Sequence, residues 1–75
     1  MTDKMKLADP VRSYTNDWFI EGKIYRIDGD IVEVDFLDWI TQYRRSDLIK
    51  RHIHYNTFWV VTRVGTIIKD FRDLV

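Results

Sequence analysis

The sequence contains no cysteine, one proline, three glycines and no long hydrophobic run. The absence of cysteine excludes disulfide bonds, a thiol nucleophile and zinc or iron–sulfur sites built from thiolates. The longest apolar run, residues 58–61, is far shorter than the span of about 20 residues that crosses a membrane. Three glycines provide no glycine-rich phosphate loop. These absences favour a small soluble domain that needs no cofactor.

Net charge is also lacking, because twelve basic residues balance twelve acidic ones. A neutral chain has no overall field that attracts nucleic acid or an anionic membrane surface. The first six residues lead into no apolar signal core. We therefore predict a cytoplasmic protein with no membrane partner.

What the chain does contain is aromatic and β-branched residues, enough to fill one small core. Eleven aromatic side chains occur among 75 residues. A chain of this size buries only about 60% of its unfolded surface, so its core or a homodimer interface must supply the stability. Residues 1–10 are polar and end at Pro10, which predicts a flexible lead-in containing a solvated Asp9. Residues 11–75 are predicted to form the single domain.

Short β-branched and aromatic runs predict an all-β domain from residue 11 onward. Segments 22–27 and 30–36 are predicted to pair as a hairpin, because the Asp-Gly pair at 28–29 accepts the backbone angles of a tight turn. Loops of two and of three residues both fit. We favour the three-residue loop because it pairs Lys23 with Asp35 and keeps one apolar face together. That face is formed by Gly22, Ile24, Val32, Val34 and Phe36, with Arg26 at its inner rim.

Further strands are predicted downstream, beginning with one over residues 39–45. Ser46 is an N-cap residue, so one helical turn over 46–49 is expected, and a helix over 46–54 is the competing assignment. The remaining predicted elements are a β-rich stretch over 52–62 interrupted near 56–57, a turn at 64–65, and a last strand over 66–71, with a helical turn over 71–75 as its alternative ending.

The order of aromatic residues, turns and apolar strands between residues 11 and 49 forms a recognisable pattern. The residues that carry it are Tyr14, Trp18-Phe19-Ile20, Gly22-Lys23-Ile24, Asp28-Gly29, Val34-Asp35-Phe36-Leu37-Asp38, Tyr43 and Asp47-Leu48-Ile49. In this order they resemble a Tudor domain. The resemblance implies a small SH3-like barrel of about five short strands, here followed by a C-terminal β extension.

Tudor domains bind methylated lysine or arginine in an aromatic cage, which works by cation–π attraction. The resemblance places the three aromatic cage positions on Tyr14, Ile20 and Phe36, and the polar member on Asp38. Ile20 departs from the pattern because an alkyl side chain offers no negative π-face. Another aromatic side chain would then have to complete the cage, and the candidates are Trp18, Trp39 and Tyr43.

The residues that carry reactive groups form no catalytic or metal-binding pattern. His52 and His54 would face the same way on a strand, but two imidazoles make an incomplete metal site. Five carboxylates crowd residues 28–38, where a solvated outer face is the simpler interpretation. Neither serine lies in a nucleophile-elbow context. We therefore predict a protein that is not an enzyme and that binds no metal.

The leading hypothesis is a non-catalytic protein-interaction module that uses an aromatic surface patch. Aromatic side chains are favoured at interface hot spots, and a carboxylate beside them would orient a basic group on the partner. The size fits a small bacterial or phage accessory protein that captures a larger host factor. The predicted partner-binding residues are Tyr14, Trp18, Phe36, Asp38, Trp39 and Tyr43.

The main alternative is a nucleic-acid-binding barrel of the SH3-like or KOW-like kind. Residues 41–54 carry four basic side chains and one acidic one, and the arginines lie between Tyr43 and Tyr55. In such a pattern, phosphates contact arginine and bases stack on rings. A homodimer without a ligand is the third interpretation. The predicted nucleic-acid-binding residues are Arg44, Arg45, Lys50 and Arg51.

Overall fold

A computed structural model describes residues 4–71, and this part of the chain is an all-β fold, as predicted. One turn of 3-10 helix, Arg45–Asp47, interrupts the strands. No helix within residues 4–71 has the length and apolar character needed to cross a membrane. The strands are β1 (Pro10–Tyr14), β2 (Phe19–Asp28), β3 (Ile31–Asp35), β4 (Trp39–Arg44), β5 (Leu48–Ile53), β6 (Asn56–Val61) and β7 (Thr66–Asp70).

The seven strands form one mixed sheet in the order β5-β6-β1-β2-β3-β4-β7. Strands β1 and β6 pair in parallel, whereas the other neighbours pair antiparallel. Within residues 4–71 the outer strands β5 and β7 do not pair with each other, so the sheet stays open. The sequence predicted about five strands. The structure has two more because Pro10–Tyr14 forms a strand of its own and the stretch predicted over 52–62 belongs to two strands, β5 and β6, the first of which begins at Leu48.

The predicted apolar face of the β2–β3 hairpin is buried as a set, since Gly22, Ile24, Val32, Val34 and Phe36 all lie inside. The register begins as predicted, with Lys23 opposite Asp35. It then shifts by one residue at a β-bulge between Ile24 and Arg26. The loop is therefore two residues long, at 29–30, and the three-residue loop is wrong.

The bulge explains why Arg26 does not lie at the inner rim. Strict alternation from Ile24 would direct Arg26 inward. The extra residue in β2 instead places Ile27 opposite Val32, where it packs against the core. Arg26 is exposed and lies 3.5 Å from the Asp28 carboxylate, so its charge remains in water.

The N-terminal segment packs on the sheet, which corrects the prediction of a solvated Asp9. Met5 is buried in the core cluster. Asp9 Oδ2 accepts hydrogen bonds from the Lys6 backbone N–H at 2.9 Å and from Trp59 Nε1–H at 3.1 Å. The backbone of residues 8 and 9 also exchanges hydrogen bonds with Ile24. The N-terminal segment therefore contacts the sheet although its composition is polar.

The segment after β4 departs most from the sequence prediction. The helical turn is confined to Arg45–Asp47 and has no side-chain cap, so Ser46 is not its N-cap. The competing helix over 46–54 is wrong, because β5 pairs with β6 along its whole length. The interruption falls at 54–55, with His54 at φ 55°, and not near 56–57. The alternative helical turn over 71–75 falls mostly outside the described residues.

Candidate functional site: an aromatic cleft

A cleft of about 470 Å³ is lined by residues from several strands of the sheet, and we call it the aromatic cleft. Its lining residues belong to β1, β2, β4, β6 and β7, to the β3–β4 turn and to the connecting residues 62–65. Its apolar wall includes Tyr14, Ile20, Phe36, Trp39, Tyr43 and Ile67.

The aromatic cleft brings together four of the six predicted partner-binding residues. They come from two strands, β1 and β4, and from the turn between β3 and β4, and they are Tyr14, Phe36, Trp39 and Tyr43. Trp18 and Asp38 do not line it. Trp18 is 60% exposed in the β1–β2 loop, and Asp38 is exposed in the β3–β4 turn. The structure therefore brings four of the six residues together in this cleft and places the other two outside it.

Exposure divides the four aromatic residues into a floor and a rim. Phe36 and Tyr43 form the floor, since they are only 5% and 6% exposed. Tyr14 is 45% exposed and Trp39 is half-buried, so both present ring surface at the rim. The rings of Phe36 and Trp39 lie 5.8 Å apart between centroids and support each other. A ligand would therefore touch the rim residues first.

Arg12 holds Tyr14 in place at the rim, a role that the sequence analysis missed. Its Nη1 donates a hydrogen bond to Tyr14 Oη at 3.1 Å, and its Nε lies 3.2 Å from Glu21 Oε1. The Cζ atom of the same guanidinium lies 4.4 Å from the ring centroid of Phe19 and 4.1 Å from that of Phe58. Hydrogen bonding to Tyr14 raises the pKa of Arg12 above its ordinary value. The β1–β2 register, which places Arg12 opposite Glu21, is the signal that could have found it.

Gly65 leaves room for the Tyr43 ring on the cleft floor. A Cβ at Gly65 would come within 2.5 Å of Tyr43 Cε1 and 2.6 Å of Thr41 Cγ2. Real Cβ atoms do not approach so closely, so any side chain here would displace the ring. The structure has a bend at residue 63 and no turn at the predicted positions 64–65, but Gly65 contributes to the shape of the site.

Burial of Tyr43 predicts a loss of stability at alkaline pH. Burial raises the pKa of the Tyr43 phenol above its ordinary value of 10.0, because the folded state disfavours the phenolate. The stabilisation is complete below about pH 10 and is lost as pH rises through the raised pKa, since the unfolded state releases its proton first. Between pH 9 and pH 11, the free energy of unfolding measured with urea should fall more steeply for the wild type than for Tyr43→Phe. Equal slopes would contradict this prediction.

The charge around the cleft is positive. Of its lining residues in the described part of the chain, Arg63 is charged and none is a carboxylate. Arg63 also lines an adjoining polar hollow, which we call the cationic recess. There its Nε lies 3.9 Å from Asp47 Oδ1. The cationic recess is lined by Arg44, Ser46, Asp47, Thr62 and Arg63.

The four predicted nucleic-acid-binding residues do not share one face. Lys50 and Arg51 are neighbours on β5, so their side chains point to opposite sides of the sheet. The Lys50 Nζ lies 5.5 Å from the centroid of the Trp59 ring on the neighbouring strand β6. Arg51 lies opposite Phe58 of the same strand. Arg45 is exposed in the 3-10 turn, and Arg44 lines the cationic recess.

The two histidines are also separated. His52 Nδ1 is hydrogen-bonded to Thr57 Oγ1 at 2.8 Å, whereas His54 lies in the β5–β6 turn. Their side chains therefore do not form the same-face pair that alternation on one strand predicted. Among residues 4–71, no group of three or more histidine, cysteine or acidic side chains is placed to hold a metal ion.

Comparison with known proteins identifies no relative of this chain. No protein-family model matches the chain, and no curated protein or solved structure matches it significantly.

Proposed function

We propose that this chain is a non-catalytic protein-interaction module whose aromatic cleft receives an apolar side chain of a partner protein. The supporting observation is the arrangement of Tyr14 and Trp39 as an accessible rim above the buried floor of Phe36 and Tyr43. Accessible aromatic rings above a desolvated floor are typical of interface hot spots. The cleft volume of about 470 Å³ suits a short peptide segment, and pockets for small ligands span about 300–1,000 Å³.

The Tudor resemblance offers a more specific ligand, a methylated lysine or arginine. Tyr14, Ile20 and Phe36 occupy the implied aromatic positions and line the aromatic cleft together. A cationic ligand is disfavoured, however, because Arg63 lines the cleft and Asp38 does not. We therefore propose a neutral or anionic ligand segment. This function does not depend on a closed SH3-like barrel.

Two tryptophans provide a matched test of the proposed function. Trp39 lines the aromatic cleft, whereas Trp18 is exposed and does not. In affinity capture from nuclease-treated lysate, wild type and Trp18→Ala should retain the same protein partner. Trp39→Ala should weaken that interaction by about tenfold or more, because truncation of a central hot-spot residue costs about 2 kcal/mol. Tyr14→Ala tests the second residue of the rim.

Circular dichroism of each variant provides the folding control. A folded Trp39→Ala protein that captures the partner as well as wild type would reject the aromatic cleft as the site. Loss of capture after nuclease treatment would favour the nucleic-acid alternative. A dimer in sedimentation that dissociates only on Trp39 substitution would favour the homodimer.

A further inference from the structure

The aromatic cleft and the cationic recess adjoin, and together they form one groove with chemically unlike ends. They share Thr62 and Arg63 as lining residues. The aromatic end carries the rings of Tyr14, Phe36, Trp39 and Tyr43. The other end adds the charges of Arg44 and Asp47, so that with Arg63 its net charge is positive. A ligand that fills both ends must therefore combine an apolar group with a polar or anionic one.

We propose, as a refinement that rests on the proposed function, that the groove binds an extended segment of a partner protein carrying a large apolar side chain and, within a few residues, an aspartate or glutamate. The apolar side chain enters the aromatic cleft between Tyr14 and Trp39. The carboxylate reaches Arg63, which lies where the cleft meets the cationic recess. The ligand is thus an acidic, apolar peptide.

The geometry of Arg63 leaves it able to bind a carboxylate. Its side chain is 81% exposed, and its contact with Asp47 is long, at 3.9 Å. A guanidinium has five donors in a planar fork, so one long contact leaves room for a bidentate carboxylate. Thr62 fixes this corner, because its backbone N–H and its hydroxyl both donate to the Asp47 carbonyl, at 2.8 Å and 3.0 Å.

A peptide fits these charges better than a nucleic acid does. Tight phosphate-driven binding requires several uncompensated cations along a strand. Here Arg63 is partly neutralised by Asp47, Lys50 lies over Trp59, and the chain carries no net charge. A single carboxylate needs only the one or two arginines that the cationic recess presents.

The test is selection from a displayed library of random twelve-residue peptides on the intact, wild-type chain, followed by affinity measurement with the enriched peptides. We expect enriched sequences to pair a large apolar residue with Asp or Glu at a constant spacing. Trp39→Ala should abolish their binding. Replacing the peptide's acidic residue with its amide should weaken binding about two- to fivefold, as expected for a rim charge pair.

Charge reversal makes the test specific to Arg63. Arg63→Glu should lower the affinity for the selected peptide at least fivefold. A peptide with lysine in place of its acidic residue should bind Arg63→Glu better than it binds the wild type. Arg51→Glu is the matched control, because it changes the net charge equally at an exposed site outside the groove, and it should leave binding unchanged.

The possible failures separate the two proposals. Peptides that need Trp39 but show no acidic preference, or that bind Arg63→Glu as well as wild type, overturn this inference and leave the proposed function standing. Enrichment of lysine-rich peptides, or stronger binding of a trimethyl-lysine peptide, also overturns it. If no peptide binding depends on Trp39 while a dT12 oligonucleotide binds in a salt-sensitive way, both proposals fail.

Discussion

Replacing Gly22 with alanine is expected to destabilise the domain by about 3 kcal/mol, at the upper end of the range for overpacked cores. Gly22 is buried in β2, opposite Val11 of β1 and beside the end of β3. A Cβ there would lie 2.5 Å from the Asp35 carbonyl oxygen and 2.7 Å from Phe36 Cδ1. The oxygen belongs to the backbone of a paired strand, so it cannot move aside as the end of a flexible side chain would.

Urea unfolding measures this effect, and Gly29 provides the control. Gly29 has φ +59° with no atom within 4 Å of its Cβ position, so its substitution tests backbone conformation alone. Asparagine tolerates the left-handed region, and Gly29→Asn should therefore cost less than about 1 kcal/mol. If Gly22→Ala unfolds at the same urea concentration as Gly29→Asn, the close approach of β2 and β3 is incorrect.

The core face of the β2–β3 hairpin could be predicted because it depends on local alternation. Ile24, Val32 and Val34 repeat with the period of a strand, and any register that exposes them is costly. The bulge could not be predicted in the same way. It exchanges Arg26 for Ile27 on the inner face, and that choice depends on burial of Ile27 against the whole core.

The pairing of strands that are distant in the chain could not be predicted from local sequence signals. Strand β6 pairs in parallel with β1, with Trp59 opposite Val11, although 48 positions separate them in the chain. The β5 segment has a helix-compatible sequence, and its pairing with β6 overrides that local preference. The expected five-stranded barrel underestimated the sheet because these pairings are not visible in a single sequence.

The site was partly predictable for a related reason. Phe36, Trp39 and Tyr43 belong to the predicted strands 30–36 and 39–45, and Tyr14 was included through the Tudor resemblance, and all four line the cleft. The contribution of residues 61–65 and of Arg63 was not foreseen, because it depends on how β6 leads back across the sheet to β7. Trp18 was included as a candidate to complete the cage that the Tudor resemblance implies, and it lies in the β1–β2 loop outside the cleft.

Phe36→Ala should unfold most of the domain, whereas Trp39→Ala should leave it folded, although both residues line the same cleft. Phe36 is buried in the core cluster, and truncating such a ring costs about 3–5 kcal/mol. Small domains have only about 5–15 kcal/mol of stability in total. Trp39 is half-buried at the rim, so its truncation gives up less buried apolar area, at about 25 cal/mol per Å².

Thermal unfolding followed by circular dichroism distinguishes the two variants. Phe36→Ala should show a transition lowered by more than about 15 °C or none at all, since 1 kcal/mol shifts the midpoint of a domain of this size by about 4–8 °C. Equal melting temperatures for the two variants would place Phe36 at the surface and contradict the division of the cleft into floor and rim. Because loss of Phe36 removes the fold together with the cleft, only rim substitutions at Trp39 and Tyr14 can separate partner binding from stability.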